Sequence, residues 1–113
     1  MERIVEKTLL YDYYGELLTD HQREIYEEVV FNDMSLSEAA AEYGISRQGI
    51  HDMIRRCDQA MAAYEGKLHL LSTGESVRRR LALLQKKLEE TGMDEKSRTE
   101  LIDMTQQIMQ EMD

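Results

Sequence analysis

Residues 35–56 read SLSEAAAEYGISRQGIHDMIRR, and the parts of this stretch agree on one local structure. Ser35 and Glu38 have the S-x-x-E spacing of a capping box, so a helix starts after Ser35. Leu36, Ala39, Ala40 and Tyr43 then share one face, and the three alanines let another helix approach closely. Gly44 stands where a helix C-terminus wants a residue with positive φ. Ile45 is the apolar residue of the turn, and Ser46 is a second N-cap. Ile50, Ile54, Cys57, Met61 and Tyr64 recur at helical spacing and mark the buried stripe of a long helix. A short helix, a glycine turn and a second helix form a helix-turn-helix, an arrangement that usually sets its second helix against a nucleic acid. Gln48, Asp52, Arg55 and Gln59 fall on the outer face of that helix, with Arg47, His51 and Arg56 on the flanks. Arg47, Gln48, His51, Arg55 and Arg56 are therefore the candidate nucleic-acid-binding residues.

The flanking sequence extends this to an all-α chain. At 113 residues it is one domain, or one domain with an appendage. Proline and tryptophan are absent, glycine is sparse, and 33% of residues are charged against 42% hydrophobic. A first helix is expected from about Glu2 to Tyr14, with Ile4, Val5, Leu9 and Tyr13 among its apolar positions. The three tyrosines Tyr11, Tyr13 and Tyr14 are expected not to face one core together, with Tyr11 or Tyr14 a surface contact or, more in keeping with its chemistry, partly buried. Thr19 and Gln22 form another capping box, opening a helix to about Val30, and Asn32-Asp33 turn the chain into the motif. The motif's second helix is expected from Ser46 to Tyr64 or a little beyond. Ser72-Thr73-Gly74 reads as the clearest break, dividing residues 1–71, a helix-turn-helix domain of about four helices, from residues 72–113.

The second segment has a different character. Val77, Leu81, Leu84 and Leu88 repeat in heptad style along a fifth helix. Thr91-Gly92 ends it and Asp94 caps a sixth, on which Leu101, Met104, Ile108 and Met109 or Met112 give the matching stripe. These spacings describe a C-terminal helical hairpin that packs on itself, folds back on the first domain, or pairs with a second copy through its remaining apolar edge, giving a homodimer.

Charge runs against a simple DNA binder. The formal net charge is −9, and residues 1–70 hold seven Lys or Arg against fourteen Asp or Glu. Long-range attraction to a duplex is poor for such a chain. Screening confines fields to about 8 Å at physiological salt, so local basic groups still count. One is the motif group named above. The other is Arg78-Arg79-Arg80 with Lys86-Lys87 on the fifth helix, a secondary basic patch or a solvated face paired with Glu89 and Glu90. Structured RNA is read through shape, loops and the 2′-hydroxyl, so a short basic face can clamp phosphates at a bulge or loop without a broadly basic protein, while acidic surface elsewhere rejects generic nucleic acid or docks the basic domain of a protein partner.

The chain does not read as an enzyme. His21, His51, His69 and Cys57 lack metal-ligand spacing, and no phosphate-cradling glycine loop or nucleophile elbow is present, so neither metal nor cofactor is expected. Cys57 on the apolar stripe reads as a small core residue. No apolar run has the length to span a bilayer and the N-terminus has no signal-peptide pattern, so a cytoplasmic location without membrane insertion is expected.

The run from Leu18 to Ile25, LTDHQREI, followed by the motif resembles the fourth region of bacterial sigma factors, which reads the promoter −35 element. The closer likeness is to the YlxM family. It is carried by residues 10–19, LYDYYGELLT, by Gln22-Arg23, by residues 33–38, DMSLSE, by residues 42–48, EYGISRQ, and by residues 64–70, YEGKLHL. The tail after Leu71 matches no signature. What the resemblance implies is a sigma region-four-like domain in a non-enzymatic accessory factor of the bacterial signal recognition particle, with the particle's RNA, its GTPase, or both as partners. A sigma-like DNA-binding regulator of transcription is the alternative, and duplex DNA is the weaker expectation as partner. An adaptor that binds only protein, using the motif as scaffold, is a third.

Overall fold

The computed structural model describes residues 3–112, which form six α-helices and no strand. They are α1 (Arg3–Tyr14), α2 (Asp20–Tyr26), α3 (Leu36–Tyr43), α4 (Arg47–Leu68), α5 (Leu70–Glu90) and α6 (Glu95–Glu111). A short 3₁₀ turn, Gly15–Leu17, links α1 to α2, and a π turn, Glu27–Phe31, extends α2. The chain resolves into two compact units, divided between His69 and Leu70.

The caps read in the sequence set the helix starts of the first unit. Thr19 and Gln22, and then Ser35 and Glu38, form reciprocal capping boxes, and the Ser46 hydroxyl accepts from the Gly49 N–H at 3.0 Å. Gly44 closes α3 at φ 70°, where a side chain would be strained. Asp33 makes the turn before α3 at φ 57°, as the Asn32-Asp33 pair implies. The π turn supplies the five-residue return, with Asn32 N–H donating to the Glu27 carbonyl at 3.0 Å.

Two clusters fill the core. Ile25, Ala39 and Ile50 lock α2, α3 and α4 into the motif, with Leu36, Ala40, Tyr43 and Ile45 packed around them. Tyr14, Leu18, Tyr26, Cys57 and Met61 join α1 and α2 to the middle of α4. Met53 and Ile54 pack against both clusters, so α4 is the shared wall. Against expectation the three tyrosines face one core, although the partial burial expected of Tyr11 holds. Tyr14 is fully buried, and Tyr11 and Tyr13 both pack half-buried on the same cluster. Tyr11 and Tyr14 stand only about 60° apart around a helix, and the long side chain of Tyr13 reaches in from the flank. Tyr11 stacks on Tyr26 with ring centroids 5.4 Å apart, and both meet Phe31 edge-on. Gly15 makes room for this, since a Cβ there would lie 2.8 Å from the Tyr11 ring. The buried hydroxyls find acceptors: Tyr14 donates to Glu65 and Tyr26 to Asp58, each at 2.6 Å, and Tyr11 to Glu27.

The expected break at Ser72-Thr73-Gly74 is absent; these residues lie inside α5. A single glycine costs a helix only about 1 kcal/mol and is outvoted by the turns around it. The chain breaks instead at His69, in the left-handed region at φ 56° and donating its N–H to the Glu65 carbonyl.

In the second unit α5 and α6 pack as a hairpin. Leu81 and Leu88 are buried, but Leu84 is 45% exposed, because the inward line of α5 runs through Gly74, Leu81, Gln85 and Leu88 and leaves Leu84 about 60° to one side. The stripe expected on α6 divides: its Met109 and Met112 end faces α5, but the rest points elsewhere. Leu101, Met104 and Ile108 are exposed, while the side facing α5 carries Arg98, Ile102, Thr105, Met109 and Met112. A polar pair sets this register: Gln85 Nε2 donates to Thr105 Oγ1 at 2.7 Å, and Thr105 donates to the Ile102 carbonyl at 2.6 Å. Asp94 caps α6 through the Ser97 N–H, which holds its carboxyl below the usual carboxylate range. Arg98 closes the turn by donating to the carbonyls of Leu88, Thr91 and Met93.

Candidate nucleic-acid interface

The two clusters turn α4 so that its opposite side faces outward. Arg47, Gln48, His51, Arg55 and Arg56 are all exposed there. Arg47, His51 and Arg55 follow each other at four-residue steps and so form one row. Gln48 lies beside this row. Arg56 stands about 100° further round than Arg55, on the far flank, and lines none of the grooves described below.

One carboxylate sits among these groups. Asp52 Oδ1 accepts from Gln48 Nε2 at 3.0 Å and lies 3.6 Å from Arg55 Nη2 and 4.0 Å from His51 Nδ1. The His51 and Arg55 side chains keep 60% and 61% of their exposure, so these are solvent-screened pairs of small energy. Their effect is to hold Gln48 and Arg55 along the helix and to lower the local positive charge. Arg47 and Arg56 have no carboxylate within ion-pair distance among the described residues.

The structure adds two cations that the motif did not indicate. Arg3 and Lys7, one turn apart on α1, stand across from α4 and line a groove with His51, Ile54, Arg55 and Asp58. The same pair continues into a wider groove of about 400 Å³ whose apolar walls are Ile4, Val29, Val30, Leu36 and Ile54. The π turn supplies Val29 and Val30, the first turn of α3 supplies Leu36, and Arg47, Gln48 and His51 flank the Leu36 end. The i, i+4 spacing of Arg3 and Lys7 is visible in the sequence, but their place beside α4 depends on the packing of α1, which no local pattern states.

Asp58 adds a polar tie to that placement, which the Tyr14 cluster sets. Its Oδ1 accepts from the buried Tyr26 hydroxyl at 2.6 Å and its Oδ2 lies 3.1 Å from Lys7 Nζ. One carboxylate of α4 thus ties α2 and α1 together. Burial, and then this hydrogen bond, hold the Tyr26 phenol protonated far above the ordinary tyrosine range. Cys57 lies behind the face in the core, and burial pushes its thiol up to about 11. Among the described residues no three His, Cys, Asp or Glu side chains are grouped to hold a metal ion, and no helix is long and apolar enough to cross a membrane.

The second basic group stands on α5, in the other unit. Arg78 is half-buried, while Arg79, Arg80, Lys86 and Lys87 are exposed with no carboxylate in ion-pair distance among the described residues, so the pairing with Glu89 and Glu90 is not made.

Comparison with known proteins agrees with this architecture. Residues 1–110 match the family model described as "Putative helix-turn-helix protein, YlxM / p13 like". The chain is 43% identical over 82 residues to the UPF0122 protein of Thermoanaerobacter sp. (strain X514), covering 73% of this chain and 70% of that one. It is 45% identical over 74 residues to the UPF0122 protein of Caldanaerobacter subterraneus, covering 66% and 63%, and 40% identical over 86 residues to that of Shouchella clausii, covering 76% and 79%. No solved structure matches the chain. With the family model spanning nearly the whole sequence, and the helix-turn-helix built as described, the chain belongs to the UPF0122 family of YlxM/p13-like helix-turn-helix proteins.

Proposed function

We propose that this protein is a non-enzymatic accessory factor of the bacterial signal recognition particle that binds the particle's RNA through the outer face of α4 and the adjoining start of α1. The observation that carries the reading is the local gathering of Arg3, Arg47, His51 and Arg55 on one exposed face, with Lys7 paired to Asp58 at its edge, in a chain with net charge −9. Such a face can neutralise a few closely spaced phosphates, while the acidic remainder repels nucleic acid presented as a long uniform duplex. RNA loops and bulges offer phosphates in that compact form, together with unstacked bases. Asp52 in the middle of the α4 face disfavours flat seating against the phosphates of a DNA groove, which leaves the sigma-like DNA regulator as the weaker reading. The acidic surface away from the face suits the basic RNA-binding domain of the particle's GTPase, the second partner in this reading.

Alanine at Arg47, Arg55 and Arg56 together tests the site. These side chains are exposed, so the fold is expected to survive. Binding to signal-recognition-particle RNA should weaken, and the slope of log affinity against log salt should fall by roughly one unit for each phosphate that is no longer neutralised. Because Arg56 stands apart from the row, Arg3→Ala with Lys7→Ala should weaken binding more than Arg56→Ala alone. Unchanged affinity in the triple variant would remove the α4 face from the RNA site.

A further inference from the structure

We propose that the α5–α6 hairpin is the dimerisation element of this protein, pairing with the hairpin of a second copy about a two-fold axis parallel to its helices. The hairpin buries one side of each helix and leaves Leu84 45%, Leu101 37%, Met104 58% and Ile108 44% exposed. Helical periodicity places all four on the same broad face. Leu84 lies about 60° from the inward Leu81 line on α5, and Leu101 and Ile108 lie about 40–60° from the inward Thr105 line on α6. Because the helices run antiparallel, rotations of the same sense bring both sets to one side of the hairpin. The result is an apolar strip that neither helix of the hairpin covers.

Charge identifies what covers it. On the α5 edge of the strip stand Arg80 and Lys87, and on the α6 edge stand Glu100 and Glu111, all exposed. A face with one basic edge and one acidic edge is complementary to itself, as an isologous contact requires. The same charges choose the axis. Turning a second hairpin about an axis parallel to the helices lays its α5 over α6 of the first, basic edge on acidic edge. An axis across the helices would lay α5 on α5 and oppose like charges. The levels also agree. The Gln85–Thr105 hydrogen bond sets the stagger, so that Arg80 is level with Glu111 and Lys87 lies within about one turn of Glu100. The assembly is a four-helix bundle with Leu84, Leu101, Met104 and Ile108 as its added core layer. This divides the basic residues of α5: Arg80 and Lys87 serve the dimer, and Arg79 and Lys86 face away from it.

Sedimentation velocity of the full chain, from micromolar to hundreds of micromolar, tests the proposal. The wild type should sediment as a dimer that dissociates on dilution. Leu84→Asp and Met104→Asp should each raise the dissociation constant by more than about tenfold while helical circular dichroism is retained, since both positions are exposed in the single chain. Arg80→Glu with Lys87→Glu should weaken the dimer, and adding Glu100→Lys with Glu111→Lys should restore it. The charge variants decide the question even if an aspartate variant loses helix. A wild type that remains a monomer throughout, a dimer indifferent to all these changes, or a charge reversal that the second pair fails to rescue would overturn the proposal.

Discussion

Replacing Asp58 should unfasten α1 and α2 from α4, and the size of the effect follows from its two oxygens. In Asp58→Ala the Tyr26 hydroxyl, on a side chain with no solvent exposure, loses its acceptor at 2.6 Å. Stranding a buried donor costs about 1–3 kcal/mol. The Lys7 pair at 3.1 Å is partly exposed on both sides and adds at most about 1 kcal/mol. The loss should therefore be about 2–3 kcal/mol, a large share of the stability of a unit this small. Tyr26→Phe removes the donor without stranding it and leaves Asp58 its lysine, so it should cost about 0.5–1.5 kcal/mol. In the double variant the hydroxyl penalty is counted once, giving a coupling of about 1 kcal/mol in a double-mutant cycle. Asp58→Asn, which keeps an acceptor oxygen, should lose less than Asp58→Ala. All six tyrosines lie in the first unit, so urea unfolding followed by near-UV circular dichroism reports on that unit alone. Strictly additive losses would refute the reasoning, because the Tyr26–Asp58 bond would then not hold the helices.

Asp52→Asn should raise affinity for RNA by up to about fivefold, the scale of an exposed ion pair, by releasing Arg55 and removing a charge from the face; fluorescence anisotropy at fixed salt checks it. Cys57, buried and with its thiol pushed up to about 11, should resist a thiol reagent at neutral pH until urea opens the first unit, so labelling rate against urea should follow the near-UV transition. Arg98→Ala should cost the hairpin about 1–3 kcal/mol by stranding the part-buried carbonyls of Leu88 and Met93, read as loss of helix at lower urea while the tyrosine signal is unchanged.

What is legible in the sequence is whatever short-range chemistry specifies. The Thr19 and Ser35 capping boxes, the Ser46 and Asp94 caps and the Gly44 turn all stand where their residues imply, because a cap needs only partners three or four positions away. The stripe of α4 holds because its residues meet two clusters at once. On α6, by contrast, apolar periodicity and packing part company. Its most hydrophobic line faces outward, and the inward line contains Thr105 and Arg98, which satisfy each polar group internally. Ser72-Thr73-Gly74 has the composition of a break but lies within the second unit's first helix, whereas His69 carries the left-handed turn without any glycine. The candidate site divides in the same way. The α4 residues follow from the motif, but Arg3 and Lys7 join them only through the tertiary placement of α1, which rests on the Tyr14 core cluster and the Tyr14–Glu65 bond, with the Lys7–Asp58 pair added.

A local basic face that serves compact RNA on an acidic helix-turn-helix protein should be selective, and competition binding tests this most directly. Labelled signal-recognition-particle RNA is bound to the full chain at physiological salt, then challenged with unlabelled particle RNA, with uniform duplex RNA and with duplex DNA. The particle RNA should displace the label at far lower concentration than either duplex, and the preference should fall when the exposed Arg3, Arg47 and Arg55 are changed to alanine. Displacement by duplex DNA at equal or lower concentration, or a preference that persists in that variant, would contradict the account.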